Sequence, residues 1–144
     1  TQKDDYPITV KTGHSVSEIV VSPERIDYTG IDSPDFLVVL SAEGLARVCG
    51  RIEKLAPGCV VYAEQTLALP ETRAQVRRLP FAELGRRVGR LCVTTAALAA
   101  LLEHSRIFPV EAFATAVESF QKADVAKANL AAISSGAELA RNPA

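Results

Sequence analysis

The spacing of apolar residues changes character along the chain. Residues 36–40, Phe-Leu-Val-Val-Leu, are apolar without alternation, which predicts a strand covered on both faces within a parallel sheet. Ser41 follows at once and suits the cap of a helix, with Glu43 where the helix dipole favours an acid. Leu45, Val48, Cys49, Ile52 and Leu55 then recur at helical spacing until Pro57 and Gly58 stop the pattern. Residues 59–63 form a second unbroken apolar run, and both runs are expected as central strands. Upstream, residues 8–10 and 18–21 are short β-branched runs joined by Lys11, Thr12, Gly13, His14 and Ser15, which reads as a hairpin or strand–loop–strand. Residues 74–79 predict a weaker, half-exposed strand interrupted by Arg77 and Arg78.

From Pro80 onward the pattern is helical. Residues 81–88 form a short helix ending near Gly89, and residues 91–103 are apolar nearly all round, which predicts a buried helix. Pro109 opens the next helix, with Val110, Phe113, Ala114, Val117 and Phe120 along one face. A last helix begins near Asp124, with Ala126, Leu130, Ile133 and Ala137 on one stripe. Strand, helix, strand followed by helices gives an α/β class: a Rossmann-like three-layer domain with a mostly parallel sheet, residues 1–144 forming one domain. The glycine-rich loop that opens such folds, G-x-G-x-x-G, is absent. The expectation is a domain lacking its first strand and helix in this chain, both preceding Thr1 in the parent polypeptide.

Composition narrows the classes. The chain has 144 residues, 48% hydrophobic and 23% charged, the ordinary globular mix. With 16 basic and 17 acidic residues the net charge is −1, so there is no footprint for nucleic acid or an anionic membrane. No apolar run approaches the length of about 20 residues that crosses a bilayer. The opening TQKDDYP is unlike a signal peptide. Cys49, Cys59 and Cys92 form no C-x-x-C pair and each sits in an apolar stretch, so the expectation is reduced cysteines in a cytoplasmic protein and no metal.

Candidate chemistry is sparse, and no catalytic residue is expected. Lys11, Thr12, Gly13, His14 and Ser15 read either as a polar turn or as a surface loop whose lysine and backbone N–H groups suit phosphate. Ligands of open α/β sheets gather at the carboxyl ends of strands, where this chain carries Ser41 and Glu64-Gln65-Thr66. Ser41 and Thr66 are the candidates there, Ser41 as a helix cap before a ligand contact. His104, at a helix end, reads as a structural partner of the dipole. Arg86, Arg87 and Arg90 are a local basic cluster, either a solvated helix face or a salt-bridged contact with a partner.

Four stretches resemble the gamma subunit of the 2-oxoacid:acceptor (ferredoxin) oxidoreductases. They are TQKDDYPITVKTGHSVSEIVVSPERI, DSPDFLVVLSAEGLARV, RRLPFAELGRRVG, and IFPVEAFATAVE followed by KANLAAISSGAELA. Within the last pair, Pro109, Glu111, Asn129 and Gly136 fall at the positions the family would place them. Two features depart from the family: its N-terminal G-x-G-G-Q-G loop is missing, and Arg90-Leu91-Cys92-Val93-Thr94-Thr95 stands where many members carry Asn, a hydrophobic pair and Gly.

The resemblance implies a component of a complex that oxidatively decarboxylates a 2-oxoacid with coenzyme A and passes electrons to ferredoxin. It implies alpha, beta and delta-type subunits as partners, with thiamine diphosphate and iron–sulfur clusters mainly on those chains and no cofactor on this one. It also implies that the 11–15 loop faces coenzyme A or another subunit. The alternatives are a free-standing CoA- or nucleotide-binding module and a purely structural assembly domain.

Overall fold

The computed structural model describes residues 1–5, 15–27 and 30–142. Two compact units divide them: residues 1–61 with 67–76, and residues 62–66 with 77–144.

In the first unit, β1 (Gln2–Asp5) and β2 (Val16–Ile19) form a two-stranded antiparallel ribbon in which Gln2 faces Ile19 and Asp4 faces Ser17. Burial alternates along β2, with Val16 and Glu18 half-buried and Ser17 and Ile19 exposed. On the exposed face the Ser17 hydroxyl donates to Asp4 Oδ1 at 2.6 Å, and the Gln2 amide donates to both Asp4 oxygens at 3.0 Å. Those bonds, Gln2 first, hold the Asp4 carboxyl below its ordinary pKa. On the other face Arg51 pairs with Glu18 at 2.6 Å. The expected strand at residues 8–10 lies outside the described residues. β2 runs over 16–19 rather than 18–21, and the partner actually seen, β1, is the polar run Gln-Lys-Asp-Asp, whose charges suit an edge open to water.

β3 (Phe36–Val39), β4 (Val60–Glu64) and β5 (Gln75–Leu79) form a parallel three-stranded sheet in that order. The Gln75 amide donates to the Cys59 carbonyl at 2.9 Å, and the Gln65 amide donates to the Leu79 carbonyl at 3.0 Å. The two bonds advance together along both strands, which sets Val60 beside Gln75 and Glu64 beside Leu79. Residues of β4 and of β5 belong to both units. β4 is central, as its apolar run predicts, and four of its five residues are buried. β3 was expected to be central too, yet among the described strands it stands at the end of the order, with only Val39 buried. An unbroken apolar run reports coverage of a strand's two faces; it carries no information on which neighbours its backbone finds.

α1 (Ala42–Ile52) connects β3 to β4. The Ser41 Oγ accepts the Gly44 amide at 3.1 Å, so the cap forms as the sequence predicts. At the other end the Thr72 hydroxyl donates to the Ile52 carbonyl at 2.7 Å and accepts the Ala74 amide at 3.2 Å. The helix stops before Leu55, which is nevertheless buried in the turn that follows.

The second unit contains α2 (Phe81–Val88), α3 (Val93–Ser105), α4 (Val110–Phe120) and α5 (Ala123–Arg141). α2 has the predicted bounds and turns Phe81, Leu84 and Gly85 inward. α3 buries Ala96, Ala97, Ala99, Ala100, Leu101 and Leu102, the all-round apolar helix expected. Its start differs, because residues 90–92 form a 3-10 turn on which Leu91 is 98% exposed. Ala99, Val117, Ala126 and Ile133 make a core cluster, with Val110, Phe113, Ala114 and Leu130 packed against it. Phe120 shares the α4 stripe in sequence but is exposed, since it is the helix's final residue.

Candidate functional site

Lys11, Thr12, Gly13 and His14 lie outside the described residues, and Ser15 is exposed just before β2. Ser41 belongs to the first unit, where its hydroxyl is engaged as the α1 cap. Thr66 belongs to the second unit and is bound to Glu64.

Glu64 is the residue sequence reasoning undervalued. It ends β4, is 4% exposed, and places its carboxylate against the first turn of α2. Oε2 accepts the Ala82 amide at 2.6 Å, and Oε1 accepts the Thr66 amide at 3.2 Å and the Thr66 hydroxyl at 3.1 Å. α2 has no side-chain cap of its own, so Glu64 supplies from the strand end the negative charge its N-terminus favours. Its signal in the sequence was an acid closing an apolar run two residues before a threonine, with a helix start at Pro80 to receive it. One charge-assisted bond, from the Ala82 amide, ties the strand end to the helix, and the two from Thr66 hold the carboxylate in place.

Two residues back on β4, Tyr62 is 1% exposed and its hydroxyl lies 2.5 Å from His104 Nδ1, with the rings edge to face at 5.7 Å between centroids. Burial raises the Tyr62 pKa; burial and, less strongly, the Arg77 guanidinium lower that of His104. His104 is therefore a neutral hydrogen-bond partner in the last turn of α3 and not the dipole-stabilising cation expected. The sign of the linkage follows: the unfolded chain takes up this proton first as pH falls. The stability of the neutral pair is present above the ordinary histidine value of about 6.5 and is lost below it, down to the folded pKa. Unfolding free energies of the native chain and of His104→Gln, measured by denaturant at neutral pH and again near pH 5, should show a steeper acid loss in the native chain. Equal losses would contradict the assignment.

Elsewhere in the first unit an open surface hollow is lined by Glu53, Glu71, Thr72 and Arg73. The three cysteines are free, Cys59 is buried, and its thiol is pushed up in pKa by burial and then by Asp35. Among the described residues no group of three or more His, Cys, Asp or Glu is placed to hold a metal ion, and no helix is long and apolar enough to cross a membrane.

The family model described as Pyruvate ferredoxin/flavodoxin oxidoreductase matches residues 1–139. The chain belongs to that family. Among curated proteins, the 2-oxoglutarate synthase subunit KorC of Methanocaldococcus jannaschii is 27% identical, over 97% of this chain and 76% of its own length. The subunit of the same name from Methanothermobacter thermautotrophicus is 28% identical, over 96% and 77%. Among solved structures, the gamma subunit of a keto/oxoacid ferredoxin oxidoreductase from Geobacter sulfurreducens superimposes with a TM-score of 0.75 at 20% identity, covering 98% of this chain and 79% of that one. The α/β fold is thus that of an oxidoreductase gamma subunit.

Four positions within the last stretches of the resemblance to the gamma subunit of the 2-oxoacid:acceptor oxidoreductases lie at structural junctions. Pro109 precedes α4 in extended conformation and Glu111 lies in its first turn. Asn129, 8% exposed, accepts the Thr95 hydroxyl and donates to the Gln121 side chain, both at 2.8 Å, so α3, α5 and the end of α4 share one amide. Gly136 lies where α5 meets the α3 backbone at Ala96.

Proposed function

We propose that this chain is the gamma subunit of a complex that oxidatively decarboxylates a 2-oxoacid to the acyl-CoA, with ferredoxin as electron acceptor. The family match across residues 1–139 carries the reading. Because both curated relatives are 2-oxoglutarate synthase subunits, 2-oxoglutarate is the first substrate to assay. Thiamine diphosphate, which supplies the carbanion chemistry where it is bound, and the iron–sulfur clusters are assigned to alpha, beta and delta-type companions. Here the chain is a non-catalytic component that works in a reducing cytoplasm.

Its contribution is assigned to the loop Lys11, Thr12, Gly13, His14 and Ser15, closing over the thioester-forming site. Lysine and glycine-flanked backbone amides suit the phosphates of coenzyme A. Excluding water and orienting the thiol favours acyl transfer more than the initial decarboxylation. Ser41 and Thr66 are less suited to ligand contact, since each is already engaged in a structural hydrogen bond. The test is reconstitution with the companion subunits. The isolated chain should show no 2-oxoacid oxidation. Lys11→Ala or His14→Ala should raise the KM for coenzyme A, while single-turnover decarboxylation without coenzyme A changes little. A parallel fall in both steps would make the loop scaffolding, and no change in either would remove it from the site.

A further inference from the structure

The end of α2 presents a surface that folding of the chain does not account for. Phe81, Leu84 and Gly85 face inward, which turns Arg86 and Arg87 to solvent on the opposite side of the helix. Gly89 then adopts φ +96° and ψ 137°, a conformation that favours glycine, and the chain enters the 3-10 turn carrying Arg90 and Leu91. Arg90 is exposed, and Leu91 at 98% exposure is the most exposed large hydrophobic side chain described. Among the described residues Arg86, Arg87 and Arg90 make no ion pair. No acid occurs in the sequence between Glu83 and Glu103, so three positive charges stand locally uncompensated on a chain whose net charge is −1.

Arg86 and Arg87 complement the carboxyl end of the α2 dipole, which gives those two a structural use. Arg90 and Leu91 lie past the helix end and have none. A leucine left in water gains nothing on folding, whereas in an apolar socket it contributes its full transfer free energy. Arginine is also the charged residue favoured in protein interfaces, where its planar fork meets carboxylates bidentately.

We propose that Arg86, Arg87, Arg90 and Leu91 form a docking surface for an acidic face of a companion subunit, with Leu91 seated in an apolar socket ringed by carboxylates. The inference rests on the reading of the chain as a component of a complex and names the surface through which it joins. Charge complementarity selects this occupant. A second copy of the chain meeting the patch across a two-fold axis would set arginine against arginine. Nucleic acid would call for a wider basic surface than one helix end on an acidic chain.

The experiment uses the full chain co-expressed with the thiamine-diphosphate-binding and iron–sulfur subunits, with affinity measured at low and high salt. The triple reversal R86E/R87E/R90E should weaken assembly by about 100-fold or more and Leu91→Ser by about tenfold, with the salt dependence much reduced in the triple variant. Lys127→Glu, on an exposed position of α5, should assemble as the native chain does. Thermal midpoints should stay unchanged for Leu91→Ser and Lys127→Glu, and should fall by only a few degrees in the triple reversal, where two charges now oppose the carboxyl end of the α2 dipole. If the native chain assembles and every variant assembles equally well, the docking surface is overturned while the proposed function stands. If the native chain does not bind the companions at all, both fall. Self-association or nucleic-acid retention of the isolated chain that the reversal abolishes would also overturn the surface.

Discussion

Gly136→Ala should destabilise the second unit by about 3 kcal/mol, although alanine is the better helix former by about 1 kcal/mol. A Cβ at this position would stand 2.0 Å from the Ala96 carbonyl oxygen, 2.7 Å from its carbon and 2.9 Å from Ala96 Cα. All three are backbone atoms of α3, so no rotamer change relieves the overlap. The two helices must separate, and the buried alanines along α3 lose their contacts. Other helical glycines serve as controls. At Gly85 the added methyl would meet the Val93 side chain at 3.4 Å, and at Gly50 it would meet nothing within 4 Å. Denaturant unfolding should therefore rank Gly50→Ala as neutral or stabilising, Gly85→Ala as mild and Gly136→Ala as severe. Equal stability of the Gly136 variant and the native chain would refute the close approach.

Glu64→Gln, close to isosteric, should cost about 2–3 kcal/mol, since hydrogen bonds to charged groups contribute about 1.5–3 kcal/mol each. A carboxylate only accepts, and both of its oxygens here receive donors: the Ala82 amide on one, the Thr66 amide and hydroxyl on the other. A carboxamide has a single accepting oxygen. Turned either way, its NH2 group faces a backbone N–H. Glu64→Ala should be no milder, because it leaves the same donors without the acceptor they use. Calorimetric unfolding of both variants would check this. A glutamine variant that melts with the native chain would show that the strand end is wetter than its 4% exposure implies.

What could be read beforehand and what could not divide along a physical line. β4, α1, the Ser41 cap and α2 were legible because each is fixed by local chemistry: an apolar run, a helical stripe, a hydroxyl before a helix, a proline at the start. β1 was not, since a ribbon edge open to water selects for charge and looks like a loop in sequence. Leu91 and Phe120 were placed inward because periodicity assigns a face to every apolar residue in register; it cannot tell when the first member lies ahead of the helix or the last sits at its final residue. The place of β3 at the end of the described sheet and the roles of Glu64 and His104 depend on partners far off in sequence. Ala82 for Glu64, and Tyr62 for His104, appear only once the chain is folded. The 11–15 loop was read from its lysine and backbone amides together with the resemblance, and residues 11–14 lie outside the described residues.

The Arg51–Glu18 pair makes one part of the molecule answer to its solvent in a way another part does not. It joins the β1–β2 ribbon to α1 through two partly hydrated charges, 31% and 19% exposed. Ions in solution weaken such an attraction, whereas the half-buried Val16 on the same face is held by contacts that salt does not screen. The α3–α5 seam carries an ion pair too, Arg141 with Glu103 at 3.1 Å, yet it also closes on buried alanines and on Gly136 against the Ala96 backbone, contacts to which dissolved ions are nearly indifferent. Ionic strength therefore acts unequally: it weakens the charged part of the ribbon's attachment to α1 and the Arg141–Glu103 pair, while the packed part of the helical seam stays closed.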